Sequence, residues 1–459
     1  MYRSVVLAIP RNKTCKNYPQ YSFFPYGPLK LLSYAKKCLP QVSFHLVDAG
    51  LYSDDETFLS AILSFHPDLV GISTHTSFAY KECLALNKKL LKRGISTIFG
   101  GIHVSTVPHQ AVANRNIEII QGQAFDGFVA YIRQDKKETI PNLVWKKNSS
   151  VIENPSAPWR RFDQLPPLNI DIIDIERYWQ KFRNFHIGTP PFDEKCYTIF
   201  THEGCLWRDR SRGGCEFCTP STRTYFPNPH YVWREIANVI SKFGPKFLIK
   251  DYGDSLSGNW NYVKALVQTK PSQLKPYEDY VFEVYLRSSE VNEQWQIDLL
   301  KTLGVLRVYI GYESFSNKIL RNIRKGATVE SHWRATKLLL SGGFYLLASF
   351  VLGCSSEDKT TIKETIEGCY KLKEMCGKKL LFLQASPIAV LPGSRAFNKL
   401  TTFEPQYLYE DLIDSEETRR RWYKHFTNFD SIKEAEKIIR ETALTLGNLC
   451  IFKAIRGYR

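Results

Sequence analysis

Three cysteines lie close together near the middle of the chain, and their type and spacing suit them to hold a metal. Cys205, Cys215 and Cys218 occur in "GCLWRDRSRGGCEFC" (residues 204–218), with nine residues between the first two and two residues between the last two. Thiols at this spacing can hold an iron–sulfur cluster, take part in a zinc site or be unligated. A zinc site needs a fourth ligand, and His202 is a nearby candidate for a Cys3His site.

The composition is that of a folded cytoplasmic protein with a basic surface. Eleven cysteines without an export signal indicate a reducing compartment, where clustered thiols bind metals more often than they form disulfides. The net charge of +16, from 62 basic and 46 acidic residues, is spread along the 459-residue chain. A nucleic-acid partner is therefore not favoured. The longest apolar run, residues 343–353, is too short to span a bilayer, which needs about 20 residues.

Residues 196–399 alternate strand-like segments with amphipathic helical segments. This alternation predicts parallel strands connected by helices, in a full or a partial barrel. The strand candidates are residues 196–204, 246–253, 280–287, 306–314, 344–353 and 380–388. The chemistry of such barrels lies at the carboxyl ends of the strands, and the three cysteines follow the first strand. A structural zinc site usually stabilises a small independent module. The cysteine loop belongs to a large predicted domain, so a zinc site is not favoured.

Residues 1–135 alternate in the same way and predict a doubly wound, Rossmann-like parallel sheet. The strand candidates are residues 4–9, 43–49, 69–74, 96–101 and 117–122. Ligands of such sheets bind at the carboxyl ends of the strands. These ends are predicted at residues 73–77, 100–106 and 121–124.

Two further regions complete the predicted organisation. Residues 136–195 are rich in proline and turn signals, and they are predicted to form a packed connector because Trp159, Phe162 and Leu165 need burial. Residues 400–459 have helical periodicity and are predicted to form a helical C-terminal region.

The cysteine loop resembles that of the radical S-adenosylmethionine (SAM) superfamily. The cysteines follow the first strand of a predicted barrel, and the aromatic Phe217 precedes the last cysteine, as in that family. The resemblance implies a [4Fe–4S] cluster on Cys205, Cys215 and Cys218 that leaves one iron open to SAM. Cleavage of SAM then gives a radical that abstracts hydrogen from the substrate. The nine-residue first gap departs from the common CxxxCxxC pattern, although longer gaps occur in similar subgroups.

Four later segments resemble the strand ends that contact SAM in this family. They are "LIKDYGDSLSGNW" (248–260), the region 285–326 with its "YES", "FVLGCSSED" (350–358) and "PIAVLPGS" (387–394). In the third segment, cysteine and serine replace the proline and glycine of the usual "GLPGE"-type turn. The resemblance implies SAM contacts at Phe217, Asp254, Ser255, Arg287, Glu313 and Ser314.

The N-terminal region resembles the cobalamin-binding domain of one large radical SAM class. The resemblance rests on "YGPLKLLSYA", "LVGISTHTS", "IFGGIHVS", "IIQGQA" and "APWRRFDQLPPLNID". It implies cobalamin contacts at Ser73, Thr74, Thr76, Gly100, Gly101, His103, Gly122 and Gln123. No DxHxxG motif follows the first strand, so a cobalt ion bound here would lack a histidine ligand from that loop.

The two resemblances together imply a cobalamin-dependent radical SAM enzyme. The leading hypothesis is a methyltransferase that acts on an unactivated carbon of a peptide or small molecule and receives electrons from a donor such as flavodoxin or ferredoxin. One alternative is a methylthiotransferase acting on tRNA or protein, with a second cluster on Cys15, Cys38 and Cys83. Another is a rearrangement or cyclisation without methyl transfer.

Overall fold

The structure is a computed structural model that describes residues 1–11, 24–74, 79–115, 117–185, 191–210, 213–219, 223–405, 415–447 and 449. The chain forms two compact units, one built mainly from residues 24–178 and the other mainly from residues 179–400 with 416–447. In the described ranges, no helix combines the length and the apolar character that crossing a membrane requires. Each unit contains one mainly or wholly parallel sheet, and this arrangement confirms the predicted α/β class.

The first unit alternates strands and helices, as the hydrophobic periodicity predicts. Its elements are β1 (Ser4–Ile9), α1 (Tyr26–Cys38), β2 (Ser43–Asp48), α2 (Asp55–Leu63), β3 (Leu69–Ser73), α3 (Tyr80–Leu91), β4 (Ser96–Gly100), α4 (Ile102–Thr106), α5 (Pro108–Arg115), β5 (Ile119–Ile120), α6 (Phe125–Arg133), β6 (Leu143–Lys147) and β7 (Ser150–Glu153). Its described strands form one sheet in the order β2-β1-β3-β4-β5-β6-β7. The strands β1 to β5 are parallel, whereas β6 and β7 add an antiparallel edge.

Alternate residues of β1 explain why this sheet is covered on both faces. Val6 and Ala8 pack into one apolar cluster, which includes residues of α2 and α3, whereas Val5 and Leu7 pack into another, which includes residues of α1 and α6. Successive side chains of a strand point to opposite faces, so a strand buried on both faces is apolar at every position. The order of the strands reverses between β1 and β3, and the carboxyl ends at such a switch point are the usual ligand site.

The second unit is a series of strand–helix repeats. After α7 (Ile175–Phe185) its elements are β8 (Lys195–Ile199), α8 (Leu206–Arg210), α9 (Pro229–Phe243), β9 (Phe247–Asp251), α10 (Trp260–Gln268), β10 (Tyr280–Leu286), α11 (Gln294–Leu303), β11 (Val305–Glu313), α12 (Asn317–Asn322), α13 (Val329–Ser341), β12 (Tyr345–Leu352), α14 (Lys359–Cys376), β13 (Leu380–Pro387), α15 (Arg395–Phe403), α16 (Ser415–Phe426) and α17 (Ile432–Gly447). The described strands form a wholly parallel sheet in the order β13-β12-β11-β10-β9-β8. This curled sheet confirms the predicted partial barrel, and α17 packs against β13 and α14.

The concave face of this sheet carries a buried ionic group that no sequence motif predicted. Trp233 of α9 packs on Phe282 at 6.1 Å between ring centroids, so Phe282 faces the helices. Glu283 is the next residue of β10 and faces the opposite, concave side. It forms ion pairs with Lys250 of β9 and, at 2.7 Å, with Arg307 of β11. A carboxylate between two cations thus joins three neighbouring strands.

Candidate active site

The three-cysteine loop lies at the carboxyl end of β8, as predicted. The carbonyl of Cys205 accepts a hydrogen bond from the Arg208 N–H at 2.9 Å, which begins the short helix α8. The Cys218 N–H donates to the Cys215 carbonyl at 3.1 Å, so the two-residue spacing closes a tight turn. The loop therefore presents one cysteine at a helix start and two on a turn.

The electrostatics of the thiols fit a cluster of metal ions. The pKa of Cys218 is raised to about 12, first because the surrounding protein desolvates its sulfur and then because Cys215, Asp254 and Cys205 are negative neighbours. Burial also raises the pKa of Cys205. Thiols that resist ionisation in this setting are stabilised as thiolates when a cation lies between them. Across the described residues, no three His, Cys, Asp or Glu side chains converge on a single metal ion.

His202 does not fit the zinc alternative. Its Nε2 accepts a hydrogen bond from the Ser255 N–H at 3.1 Å, and its Nδ1 lies 3.0 Å from the hydroxyl of Thr201. The same hydroxyl donates to Asp251 at 2.5 Å. Both ring nitrogens are therefore engaged within the protein, and the imidazole holds the loop after β9 in place.

Two of the predicted SAM residues belong to one buried network at the ends of β9 and β10. The hydroxyl of Ser255 lies 3.2 Å from that of Ser257 and 3.3 Å from Glu290. Ser257 donates to Glu290 at 2.7 Å and accepts from the Arg287 N–H at 2.9 Å. The structure thus brings Ser255 and Arg287 together through Ser257 and Glu290, neither of which the resemblance identified.

Arg287 contacts the cysteine loop directly. Its side chain is buried, its Nη1 lies 3.9 Å from the sulfur of Cys215, and its Nε lies 3.4 Å from Glu290. The guanidinium also lies over the ring of Trp207, 4.9 Å from the centroid, and donates to the Lys325 carbonyl. A fixed positive charge therefore lies beside one of the three cysteines.

We expect Arg287→Gln to lower the reduction potential of the reconstituted cluster by roughly tens of millivolts. Removing a positive charge beside a cysteine ligand makes the addition of an electron less favourable. A potentiometric titration followed by electron paramagnetic resonance, without SAM, measures the shift. Lys378→Gln, an exposed charge at the amino end of β13, is the control. Equal potentials in the Arg287 variant and the wild type would contradict this expectation.

Glu313 and Ser314 lie at the end of β11 and are held by other side chains. Glu313 adopts a left-handed backbone conformation (φ 66°) and forms a buried ion pair with Lys325 at 2.8 Å. The Ser314 hydroxyl lies 2.9 Å from that of Thr365 and accepts from the Ser316 N–H at 3.0 Å. A non-glycine residue in this backbone region is strained, and such strain is often found at functional sites.

Two acidic residues next to the cysteines were not among the predicted site residues. Glu216, inside the two-residue gap, accepts from the Ser355 hydroxyl at 2.6 Å, and Lys399 lies 3.6 Å away. Glu203, two residues before Cys205, has a pKa raised to about 7 by burial and then by Asp254. The position of Glu203 before the cysteines does not indicate this raised pKa, because burial and Asp254, a residue distant in sequence, cause it.

Glu357 closes the loop after β12. It is fully buried and accepts hydrogen bonds from the Gly353 and Cys354 N–H groups, the second at 3.1 Å. Burial raises its pKa to about 8 from the ordinary value of 4.5. The folded protein therefore keeps a proton that the unfolded chain loses, and this group lowers the stability as the pH rises from 4.5 to 8.

We expect Glu357→Gln to gain stability relative to the wild type as the pH rises from 5 to 8, by roughly 1 kcal/mol per pH unit. The amide keeps an acceptor for the two N–H groups and does not titrate. Urea unfolding of both proteins at the two pH values measures the difference. Glu364→Gln, on the exposed face of α14, is the control. A difference in stability that does not change with pH would contradict the raised pKa.

The predicted cobalamin residues that the structure describes lie along the carboxyl edge of the first sheet. Thr74 donates to the Gly100 carbonyl through both its N–H and its hydroxyl, each at 2.7 Å, and the His103 N–H donates to the Thr74 carbonyl at 3.1 Å. Gly101 has φ +103°, and a Cβ there would lie 2.9 Å from the backbone of Thr74. The absence of a side chain at Gly101 therefore lets the loop after β4 pack closely against the backbone at the end of β3. Ser73 ends β3.

Three of these residues contact other residues of the same unit. His103 is buried and packs on Tyr80 at 4.4 Å, and burial lowers its pKa to about 4, so it is neutral at pH 7. The Gly122 N–H donates to the Ser105 hydroxyl at 3.0 Å. Gln123 exchanges two hydrogen bonds with the backbone of Arg160, at 2.7 and 2.9 Å, and so holds the connector. Thr76 lies outside the described residues.

Family models match both units of the chain. The B12 binding domain matches residues 28–132, and the radical SAM superfamily matches residues 201–369. The two matches confirm the predicted order of a cobalamin-binding domain followed by a radical SAM domain. The predicted cofactors, a [4Fe–4S] cluster, SAM and cobalamin, are those that belong to these two domains.

Two curated proteins are similar to about two thirds or more of this chain. An uncharacterized methyltransferase, PH0819, of Pyrococcus horikoshii is 24% identical over 362 residues, which are 75% of this chain and 73% of that protein. The anaerobic magnesium-protoporphyrin IX monomethyl ester cyclase of Rubrivivax gelatinosus is 23% identical over 321 residues. These residues are 66% of this chain and 54% of the cyclase.

Solved structures agree with this fold. The cobalamin-dependent SAM radical enzyme OxsB, with aqua-cobalamin and SAM bound, superposes with a TM-score of 0.63 and 16% identity over 96% of this chain and 61% of that chain. The radical SAM methyltransferase TsrM of Kitasatospora setae, with cobalamin and a [4Fe–4S] cluster bound, gives a TM-score of 0.63 and 17% identity over 87% of this chain and 76% of that chain. The chain spans about three fifths of the length of OxsB. The chain thus carries a region that matches the B12 binding domain, residues 28–132, before a region that matches the radical SAM superfamily, residues 201–369.

Proposed function

We propose that this protein is a cobalamin-dependent radical SAM methyltransferase acting on an unactivated carbon of a peptide or small molecule. The observation that carries the proposal is the joint presence of a B12-binding domain and a three-cysteine loop at the carboxyl end of β8. The similarity to a protein named as a methyltransferase, which covers three quarters of this chain, supports methyl transfer over other radical reactions.

In this proposal, each cofactor has a set of residues in the chain. Cys205, Cys215 and Cys218 hold the cluster. SAM is contacted by Phe217, Asp254, Ser255, Arg287, Glu313 and Ser314, and cobalamin by Ser73, Thr74, Thr76, Gly100, Gly101, His103, Gly122 and Gln123. When bound, these groups supply the electron, the substrate radical and the transferred methyl group.

The chain's own residues prepare the site for this chemistry. Arg287 places a positive charge beside Cys215, which favours the reduced state of the centre held there. Glu203, with a pKa of about 7, can hold or release a proton near neutral pH at the strand ends. Tyr285 and Tyr309, whose rings lie 4.7 Å apart, lie on the concave face two positions after Glu283 and Arg307 and offer an aromatic surface to a substrate.

The first experiment is anaerobic reconstitution with iron, sulfide and hydroxocobalamin, followed by incubation with methyl-labelled SAM and a reductant. We expect one four-iron cluster and about one cobalamin per chain. We also expect both 5′-deoxyadenosine and S-adenosylhomocysteine, because radical formation and methyl donation consume SAM in different ways. Loss of both products in the absence of reductant is the control.

The similarity to an anaerobic cyclase supports one alternative, a rearrangement or cyclisation without methyl transfer. Formation of 5′-deoxyadenosine without S-adenosylhomocysteine would favour it. Two clusters and no cobalamin would favour the methylthiotransferase alternative. Of the cysteines which that alternative requires, Cys83 is buried in α3, Cys38 lies in α1 and Cys15 is outside the described residues.

The proposal also requires a partner that supplies electrons one at a time. A flavodoxin or a ferredoxin has the required chemistry.

A further inference from the structure

A basic groove of about 650 Å³ opens beside the cysteine loop. We call it the arginine groove, because its walls include Arg321 of α12, Arg324 of the following loop and Arg334 of α13, together with Trp207 of α8. All three arginines are exposed. Among the described residues that line the groove, none is acidic, and the others are apolar, small or hydroxyl-bearing. The groove therefore presents concentrated positive charge around an aromatic ring.

Trp207 connects the groove to the cysteines. It lies two residues after Cys205, and its Nε1 donates to the Arg324 carbonyl at 3.0 Å. Its ring packs on Gly326, where φ is +64° and a Cβ would come within 2.2 Å of the indole. The close packing against a glycine backbone fixes the ring in the wall of the groove.

The same indole ring contacts the charge beside the cluster site. The guanidinium of Arg287 lies 4.9 Å from the ring centroid of Trp207, and its Nη1 lies 3.9 Å from the sulfur of Cys215. A continuous chain of contacts therefore runs from the groove through Trp207 and Arg287 to a cysteine sulfur. Such a chain of contacts could carry an electron from a protein bound in the groove to the cluster site.

We propose that the arginine groove is the docking surface of an acidic protein that donates single electrons to the cluster. The inference rests on the proposed function, which requires such a donor. Negative charge on the donor complements the three arginines and speeds encounter, and tryptophan and arginine are the side chains that most often dominate protein interfaces. In the transfer the donor loses one electron and the oxidised cluster gains it, and no bond forms or breaks.

The geometry favours a protein over a small anionic ligand. Small-molecule sites enclose most of the ligand surface, whereas the three arginines are exposed. The groove is also walled by α12, α13 and segments that follow β8, β10 and β11, and neither Tyr285 nor Tyr309 of the concave face is among its lining residues. A donor bound in the groove leaves that concave face open.

The test uses the reconstituted holoenzyme with Arg321→Glu and Arg334→Glu combined. Reduced flavodoxin is the probe, and stopped-flow absorbance follows reduction of the cluster at low salt, with dithionite as a small reductant that needs no docking. We expect the rate with flavodoxin to fall at least about tenfold and the dissociation constant for flavodoxin to rise. The rate with dithionite should be unchanged, and the wild-type rate with flavodoxin should fall as salt is added.

The matched control combines Lys301→Glu and Lys378→Glu. These exposed lysines lie near the amino ends of β11 and β13, and the change in net charge is the same. The control should reduce at the wild-type rate with either reductant.

Several results would overturn the proposal. An unchanged rate with flavodoxin in the groove variant would mean that the donor docks elsewhere. An equal loss with dithionite would mean that the substitutions alter the cluster, and an equal loss in the control would mean that only net charge matters. Inorganic phosphate that binds the wild type but not the groove variant, with unchanged reduction, would identify a small-anion site instead. Failure of the wild type to assemble a cluster would refute the proposed function, whereas the dissociation constant for flavodoxin still tests the groove.

Discussion

Cys215→Ala is expected to abolish assembly of the iron–sulfur cluster and leave cobalamin binding unchanged. Cys215 is buried at the centre of the loop, on the turn with Cys218 and beside Arg287. With only two thiolates left, three irons of a four-iron cluster cannot all be held by the protein. Iron content and the visible absorbance after anaerobic reconstitution measure the loss. Cobalamin binding, which belongs to the other unit, reports that the variant is folded.

The matched control is Cys376→Ala. Cys376 is equally buried but lies at the end of α14, outside the three-cysteine loop. The control should assemble a full cluster. Full iron content in the Cys215 variant, or loss of iron in the control, would contradict the assignment of the loop.

The second large effect is on stability. Glu283→Ala is expected to destabilise the second unit by about 3–5 kcal/mol. Burial alone would raise the pKa of Glu283, but Arg307 and Lys250 lower it more, so the carboxyl is ionised between two cations. Removing it leaves both cations buried without their shared counter-ion, because Arg307 is 2% exposed and Lys250 is 9% exposed.

Hydrogen exchange of β9, β10 and β11 measures this loss separately from the first unit, whose strands β1 and β3 serve as an internal reference. The control is Glu367→Ala, which removes a 3.9 Å ion pair with Lys363 on the surface of α14. Exposed pairs of this kind contribute little, so its exchange should match the wild type. Unchanged exchange of β10 in the Glu283 variant would mean that the ionic group does not hold the strands together.

Much of the fold was predictable because it depends on local patterns. The run "LVGIS" forms β3 because a strand buried on both faces is apolar throughout, and the predicted strands of both sheets are present among the described residues. The helix α12 was not identified, because six residues are too few to establish a helical period. The residue boundaries predicted for the regions remain predictions.

The candidate site also has a part that the sequence predicted and a part that it did not. The spacing of Cys205, Cys215 and Cys218 and its position after a strand are local, so the sequence alone indicated a cluster and the family that uses it. The partners of Arg287, among them Cys215 and Lys325, come from loops after two different strands.

The sequence by itself therefore determined the order of the elements, the cysteine loop and the pairing of a cobalamin-binding domain with a radical SAM domain. Only the tertiary structure decided which charges meet: Lys250 with Glu283 across 33 positions, and Trp207 with a carbonyl 117 positions away. Hydrophobic period and motif spacing are properties of neighbouring residues. The arginine groove and the ionic group of the concave face form where strands and loops that are distant in sequence come together in the barrel. Local sequence patterns do not predict such contacts.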